Sequence, residues 1–264
     1  MSASPRRTIG VIGGSGVTGI FEGGSTQSHR VATPWGAPSG PIEEGTVGGV
    51  RILFLPRHGP GHTIPPHRVN YRANIDALRS LGADAILTVS SVGSLREELP
   101  PGTFVLPSQF VDLTKQRPTT FYDGGRVYHV SLADPFCPDL LHEAVEVGRE
   151  LNTPFSEGRT YVCVEGPRFS TRAESAFFRT FADIIGMTLV PEVTLARERA
   201  LCYACLAMVT DYDVWADRPV EATEIVETMH RNSERMGRLL ARLLPRLARV
   251  PNCTCARALD TAGV

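Results

Sequence analysis

Short apolar runs alternate along the chain with longer segments in which apolar positions recur at helical spacing. Runs of the first kind are typical of strands buried inside a sheet, and the second pattern is typical of helices that pack one face against a core. The predicted strands are 8–12, 51–55, 85–89, 103–106, 160–164 and 201–209. The predicted helices are 69–80, 139–151, 170–181, 192–199 and 222–248. Strands and helices in alternation predict an α/β fold.

Length and composition are those of one sizeable domain with a full hydrophobic core. The chain has 264 residues, of which 42% are hydrophobic and 21% are charged. We expect a single domain over 1–264, with its core at about 8–248 and a polar tail at 249–264. Apolar runs of membrane-spanning length and a signal-peptide pattern are both absent from the sequence, so we expect a cytoplasmic protein.

The charge balance bears on the kind of ligand. Because 27 basic residues are offset by 28 acidic ones, the chain lacks the basic field that attracts nucleic acid or a membrane surface. A small-molecule ligand is therefore favoured over a polyanion.

Two pairs of cysteines need separate interpretations. Cys202 and Cys205 have the C-x-x-C spacing, but residues three apart on a strand point to opposite faces, so we expect apolar packing rather than a metal or redox site. Cys253 and Cys255 lie in the polar tail and share one side if extended. They could form a small disulfide, although free thiols are favoured in a cytosolic protein.

Two aspartates follow the last predicted strand, at the sheet edge where ligands bind in α/β folds. Asp211 and Asp213 are two positions apart, so both side chains share one face if the segment is extended. As a pair they could accept hydrogen bonds from the exocyclic amine and the protonated N7 of adenine. Strand-end aspartates also form turns and cap helices, and that second interpretation stays open.

The first predicted strand runs into a glycine-rich loop, Gly13-Gly14-Ser15-Gly16. Glycines allow several backbone N–H groups to point at one anion, and Ser15 adds a hydroxyl donor. The loop also satisfies the dinucleotide pattern G-x-G-x-x-G. That pattern requires a following helix and an acidic residue about twenty positions on. Residues 20–34 supply neither, so we expect no nicotinamide or flavin cofactor.

A cation, an imidazole and two hydroxyls follow the second and third predicted strands. Arg57 offers a bidentate guanidinium and His58 a further donor, which together suit an oxyanion. Ser90 and Ser91 add hydroxyl groups. Each segment could be an ordinary turn, but three strands that end in anion-binding residues predict a phosphate site.

With these residues in view, the chain resembles the trimeric nucleoside phosphorylases of the methylthioadenosine phosphorylase group, over about 8–245. The motifs that carry the resemblance are Gly13-Gly14-Ser15-Gly16, Arg57-His58-Gly59, His62-Thr63-Ile64, Val69-Asn70-Tyr71-Arg72-Ala73-Asn74, Gly93-Ser94-Leu95-Arg96-Glu97-Glu98, Glu165-Gly166-Pro167-Arg168-Phe169, Arg172-Ala173-Glu174-Ser175, Gly186-Met187-Thr188, Val190-Pro191-Glu192 and Thr210-Asp211-Tyr212-Asp213.

The resemblance implies a mixed, partly barrel-like β-sheet surrounded by helices, a homotrimer, and phosphorolysis of a purine nucleoside. It implies inorganic phosphate as co-substrate, with no metal and no organic cofactor. Phosphate would contact Ser15, Arg57, His58, Ser90 and Thr188. The nucleoside would contact Ser91, Phe169, Ser170, Met187, Asp211, Asp213, His62, Ala222, Ile225 and Val226. Asp211 would be the catalytic residue, and His62 would enter from a neighbouring subunit.

The identity of the substrate depends on both ends of the nucleoside. Related phosphorylases of inosine and guanosine have asparagine where this chain has Asp211, so two carboxylates favour a 6-aminopurine. The resemblance implies 5′-methylthioadenosine as the substrate and a role in purine and methionine salvage. Ala222 is smaller than the branched residue usual in the family, so adenosine and other 5′-modified adenosines stay open as alternatives. A 6-oxopurine phosphorylase, a non-catalytic nucleoside-binding module and an oxidoreductase are the other interpretations.

Overall fold

The computed structural model describes residues 7–14, 17, 20–21, 24–216, 222–248 and 253–263, and it leaves the side chains of 222–226 and 229–231 undescribed. The strands are β1 Thr8–Gly13, β2 Gln27–His29, β3 Ile42–Val47, β4 Val50–Pro56, β5 Ala85–Ser94, β6 Phe104–Leu113, β7 Phe155–Val164, β8 Ile184–Gly186 and β9 Cys202–Asp211. The α-helices are α1 Tyr71–Ser80, α2 Pro138–Glu150, α3 Arg172–Phe178, α4 Glu192–Glu198 and α5 Ala222–Leu243. None of the helices in these ranges has the length and apolar character that a membrane span requires.

The described strands form one mixed sheet that closes partly on itself. Their order is β2-β3-β4-β1-β5-β8-β7-β6-β9, and β9 returns to pair with β5. Strands β5, β8, β7, β6 and β9 therefore form a closed ring, from which β1, β4, β3 and β2 extend as an open wing. This arrangement confirms the predicted α/β fold with a mixed, partly barrel-like sheet surrounded by helices.

Apolar side chains pack on both faces of the sheet, which explains the continuous apolar runs of its central strands. Helices α1 and α4 contribute to the core on one face, and α2 and α5 contribute to the core on the other. Cys205 lies in the first core and Cys202 in the second. Residues three apart on β9 thus point to opposite faces, as the strand geometry predicted.

Local signals explain where two helices begin. The Asn70 side chain accepts a hydrogen bond from the Ala73 N–H at the start of α1. Thr171 and Glu174 form a reciprocal capping box at the start of α3. These contacts satisfy backbone donors that a first helical turn leaves unpaired.

The sequence did not predict β2, β3 or β8. Strands β2 and β8 have three residues each, and β3 carries adjacent glutamates in its sequence IEEGTV. None of the three has the long apolar run that marks a buried strand, and each depends on pairing with distant neighbours.

Strand β5 extends further than predicted, because it pairs with β8 and β9 as far as Ser94. Ser90 and Ser91 therefore lie within the strand, and the interpretation that they follow its end was wrong.

Candidate active site

Four strands present their carboxyl ends at one edge of the sheet. Strand β1 pairs in parallel with β4 and β5, and β5 pairs in parallel with β9. A cavity of about 570 Å³ lies at this edge. It brings together the predicted residues Arg57, His58, His62, Ser90, Ser91, Phe169, Ser170, Met187, Thr188, Asp211 and Asp213. Of the remaining predicted site residues, Ser15 and the side chains of Ala222, Ile225 and Val226 lie outside the described residues.

Arg57 is a buried cation held by a buried carboxylate. Its Nε and Nη2 atoms donate to the two Glu192 oxygens at 2.8 and 3.0 Å, and Nη1 donates to the Val89 carbonyl at 3.0 Å. Nη2 also donates to the Thr88 hydroxyl. Burial alone would lower the pKa of Arg57, but the effect of the Glu192 carboxylate is larger, and the pKa lies above the ordinary value for arginine. The guanidinium therefore stays charged and fixed in orientation.

These contacts limit what Arg57 can offer a ligand. A guanidinium has five N–H groups, and partners within the described residues occupy those on Nε and Nη2 and one on Nη1. One Nη1–H remains for a ligand in the cavity. The bidentate fork expected from the sequence is directed at Glu192, so any anion meets a single directed donor backed by a desolvated positive charge.

His58 is a neutral acceptor rather than the donor expected from the sequence. Its Nδ1 lies 2.8 Å from the Ile64 carbonyl oxygen, and a carbonyl can only accept, so Nδ1 carries the hydrogen. Burial, Arg57 and His62 lower the pKa of His58 to about 4. At neutral pH, Nε2 therefore keeps its lone pair and can accept a hydrogen bond from a protonated phosphate oxygen.

The depressed pKa of His58 predicts a pH dependence of stability. Because the folded pKa is about 4 and the unfolded value is about 6.5, the unfolded chain binds more protons between these values. The free energy of unfolding is therefore highest with respect to His58 above about pH 6.5, and it falls by on the order of 3 kcal/mol as the pH is lowered to 4. Urea unfolding of the protein and of His58→Gln across this range measures it. An equal pH slope in both proteins would contradict the assignment.

His62 stacks on His58 within its own chain. The two ring centroids are 4.3 Å apart with an interplanar angle of 26°. Positive φ angles at Gly59 and Gly61 turn the loop back over its strand end, and the Ile64 N–H donates to the His58 carbonyl at 2.9 Å. This tight turn brings the His62 ring to the cavity of its own chain, and the expected contribution of His62 to a neighbouring subunit stays a prediction.

Three hydroxyl groups meet beside Arg57. Ser90 Oγ lies 3.1 Å from Thr188 Oγ1 and 3.4 Å from the Tyr161 hydroxyl. Ser90 follows Val89, whose carbonyl accepts from Arg57. Burial raises the pKa of Tyr161, so its hydroxyl stays protonated. The cluster places neutral donors next to the buried guanidinium, which suits an anion.

Asp211 lies at the end of β9 and accepts two hydrogen bonds. Its Oδ1 accepts from the Asp213 N–H at 2.8 Å, and its Oδ2 accepts from the Thr210 hydroxyl at 2.7 Å. Burial raises the pKa of Asp211, against the opposing effect of these bonds. A Cβ at Gly93 on the paired strand would lie 2.9 Å from Oδ1, so this approach requires glycine.

Asp213 is buried and strained. It is 5% exposed, its φ angle is 51°, and its Oδ2 has no hydrogen-bond partner within the described residues. Burial raises the pKa of Asp213, and the charge of Asp211 adds to the effect. A positive φ at a non-glycine residue and an unpaired buried oxygen are both costly, and such features concentrate at functional sites.

The route by which Asp213 reaches the cavity differs from the prediction. Strand β9 ends at Asp211, and Asp213 begins a 3₁₀ turn, Asp213–Trp215. The two carboxylates line one cavity, but not because they share the face of an extended segment.

Sequence reasoning assigned no role to Glu192 or Tyr161. Glu192 is fully buried and accepts from Arg57 and from the Tyr203 hydroxyl. The available signal was a lone carboxylate within the apolar run LVPEVTLA, because such a group is buried only with a partner. Tyr161 stands in the apolar β7 and gave no comparable signal.

Comparisons with known proteins agree with one another. The sequence matches the phosphorylase superfamily over residues 8–245. The S-methyl-5′-thioadenosine phosphorylase of Pyrococcus furiosus is 54% identical over 256 residues, which are 97% of this chain and 99% of that protein.

Solved structures give the same result. A methylthioadenosine phosphorylase from an Antarctic soil metagenomic library has a TM-score of 0.92 at 40% identity, covering 99% of this chain and 93% of that one. A variant of the adenosine/methylthioadenosine phosphorylase of Schistosoma mansoni, in complex with methylthioadenosine, has a TM-score of 0.90 at 36% identity. That match covers 97% of this chain and 96% of the other.

Proposed function

The chain belongs to the phosphorylase superfamily, and within that family we propose that it cleaves 5′-methylthioadenosine by phosphorolysis. The products are adenine and 5-methylthioribose 1-phosphate, which makes the enzyme a pentosyltransferase of purine and methionine salvage. One observation carries the proposal: a desolvated cation with hydroxyl groups and two carboxylates, buried Asp213 and half-buried Asp211, line a single cavity of about 570 Å³.

We infer that phosphate binds at the Arg57 side of this cavity. The remaining N–H of Arg57 and the hydroxyls of Ser90 and Thr188 donate to its oxygens. Neutral His58 accepts from the protonated phosphate oxygen, which selects the monoprotonated ion. Ser15, in the glycine loop after β1, completes the proposed set. The bound anion then stabilises the positive charge that develops on the ribose as the glycosidic bond breaks.

Adenine binds at the carboxylate side. The unpaired Oδ2 of Asp213 accepts from the exocyclic amine, which restores a hydrogen bond to a buried acceptor. Asp211 holds the proton that N7 acquires as the purine leaves, and its raised pKa suits that exchange. An inosine base offers a 6-oxo acceptor instead of the amine, so it would place two acceptors face to face.

The rest of the cavity wall orients the nucleoside. Phe169, Ser170 and Ser91 line the base, and Met187 lies under the ribose. Arg117 donates to the Met187 and Val190 carbonyls at 2.8 and 2.6 Å, and so holds the segment that carries Met187 and Thr188. We propose that His62, which lines the cavity, encloses the 5′ substituent together with Ala222, Ile225 and Val226, which are assigned from the family resemblance alone.

An assay of base release from methylthioadenosine, adenosine and inosine in phosphate buffer tests this function. We expect adenine release from methylthioadenosine and a far lower kcat/KM for inosine. Comparable turnover of inosine would contradict the role proposed for the two carboxylates.

Methylthioadenosine is expected to exceed adenosine by about 10 to 100-fold in kcat/KM. A 5′-hydroxyl in the apolar pocket lacks a hydrogen-bond partner, at a cost of roughly 1 to 3 kcal/mol. Steady-state kinetics with both nucleosides measures the ratio. Equal kcat/KM values would favour the alternative of a phosphorylase that also accepts adenosine, and the Schistosoma mansoni protein is named for both nucleosides.

The proposal extends to the assembly and the surroundings of the enzyme. The family resemblance supports a homotrimer and catalysis without metals or organic cofactors. Length and composition support a single domain over 1–264, and we propose a cytoplasmic location. Sedimentation velocity measures the assembly, for which a trimer is expected.

A further inference from the structure

Four cysteines from three separate parts of the chain converge at the end of β9 opposite Asp211. The Sγ atoms of Cys137, Cys202, Cys253 and Cys255 all lie within 4.8 Å of one another. Cys137 immediately precedes α2, Cys202 begins β9, and the other two belong to the C-terminal segment. All six cysteines of the chain are free thiols, and Cys253 is the one that is not fully buried.

The spacing of these sulfurs fits a tetrahedral metal ion. Zinc binds thiolates at about 2.3 Å, which separates neighbouring sulfurs of a tetrahedral site by roughly 3.8 Å. Cys202 Sγ lies 3.4 Å from Cys253 Sγ, and the largest separation within the set is below 4.8 Å. We propose that these four cysteines bind one Zn²⁺ ion in a closed structural site.

The surroundings of the cluster favour thiolates. The Arg7 guanidinium lies near Cys202, because Arg7 Nη2 and the Cys202 N–H both donate to the Asp84 carbonyl, at 3.4 and 3.2 Å. Arg7 Nε also pairs with the Asp84 carboxylate at 2.7 Å. Arg197 Nη1 lies 3.7 Å from Cys255 Sγ. Zinc with four thiolates carries net negative charge, which these cations stabilise. Two disulfides would be neutral and would gain nothing from them.

The position of Cys137 adds the dipole of α2 to the two arginines that stabilise negative charge on the cluster. It occupies the N-cap of the 13-residue helix α2, and its side chain makes no capping hydrogen bond. Its sulfur is therefore free to join the cluster, close to the positive end of the helix dipole, where a negative charge is stabilised.

The zinc ion would attach the C-terminal segment to the core. The Cys253 N–H donates to Asp139 at 3.0 Å, and the His129 N–H donates to the Ala262 carbonyl at 2.8 Å. Burial of Cys255 and Ala262 and a bridge between Tyr128 and Gly263 also hold this segment, and the metal would add a covalent link to β9 and α2. The predicted alternative of a Cys253–Cys255 disulfide considered the pair in isolation, whereas the fold places both beside Cys202 and Cys137.

Metal and thiol analysis of the full chain, purified without chelator or reductant, tests the proposal. We expect about one zinc per chain by plasma mass spectrometry, and titration after denaturation in chelator should find all six thiols. Cobalt(II) exchanged for the zinc should give the charge-transfer and tetrahedral d–d bands of a four-thiolate site. Zinc-free protein, with either disulfides or six free thiols, would overturn the proposal.

Matched variants then locate the site. Cys255→Ser should lose the zinc and lower Tm by about 5 to 10 °C. Cys205→Ala, which changes a buried cysteine outside the cluster, should retain about one zinc per chain. Equal zinc content in both variants would overturn the assignment. If Cys255→Ser fails to fold, the metal content and cobalt spectrum of the unmodified chain decide.

Discussion

Replacement of Asp211 by asparagine is expected to lower kcat/KM for methylthioadenosine by roughly 100-fold or more, the scale for losing a proton-transfer partner. The carboxylate of Asp211 accepts from the Asp213 N–H on one oxygen and from the Thr210 hydroxyl on the other. An asparagine amide has one acceptor oxygen, so its NH₂ group must face one of these donors. The variant therefore loses the exchangeable proton at N7 and disturbs the position of Asp213.

The experiment compares methylthioadenosine with inosine in both proteins. Because an amide can donate to a 6-oxopurine, Asp211→Asn should shift the ratio of the two kcat/KM values towards inosine. The exposed Asp134 provides a matched control, and Asp134→Asn should leave both values unchanged. Retention of full methylthioadenosine activity by Asp211→Asn would contradict its role at N7.

Replacement of Arg57 by alanine is expected to raise KM for phosphate by roughly 10 to 100-fold, because a charge-assisted hydrogen bond is worth about 1.5 to 3 kcal/mol. Nucleoside binding should change little, since the carboxylates lie at the other side of the cavity. The substitution also leaves the buried Glu192 carboxylate without its counter-ion, which costs about 3 to 5 kcal/mol of stability.

A second variant separates these two effects. In Arg57→Gln/Glu192→Gln the buried negative charge is removed with the positive one, so the protein should recover much of the stability lost in Arg57→Ala. Its KM for phosphate should remain high, because the cation is still missing. If the double variant restored both stability and phosphate KM, Arg57 would serve the fold and not the anion.

The sequence predicted the central strands and the edge of the sheet where the cavity forms, because continuous apolar runs identify buried strands and polar residues mark their ends. It could not predict β8, which has three residues and is ordered by pairing with β5 and β7. The extension of β5 past Ser90 has the same origin. Both β8 and the extension of β5 depend on closure of the strand ring, and a local sequence pattern does not predict that closure.

Within the cavity, residue types were predictable and their hydrogen bonds were not. Arg57 and His58 were predicted to bind an anion, yet Glu192, Thr88 and Val89 occupy four of the five guanidinium N–H groups. The Ile64 carbonyl fixes the tautomer of His58. Glu192 is far from Arg57 in the sequence, and Ile64 faces His58 across a turn, so neither contact is visible in a local pattern. The strained backbone of Asp213 was equally hidden, because a positive φ at aspartate is imposed by the packing around it.

The same limit applies to the cysteines. The sequence indicated correctly that Cys202 and Cys205 point to opposite faces of one strand. It contained no sign that Cys202 would meet Cys137 and the tail cysteines, since that meeting depends on how α2 and the C-terminal segment pack beside the start of β9.

The dependence of methylthioadenosine cleavage on phosphate tests the central claim most directly. Adenine release is measured with and without inorganic phosphate, and the sugar product is identified by mass spectrometry. The proposed function predicts release only when phosphate is present, with one 5-methylthioribose 1-phosphate formed for each adenine. Equal release in phosphate-free buffer, with free 5-methylthioribose as the product, would show a hydrolase and contradict the anion site at Arg57.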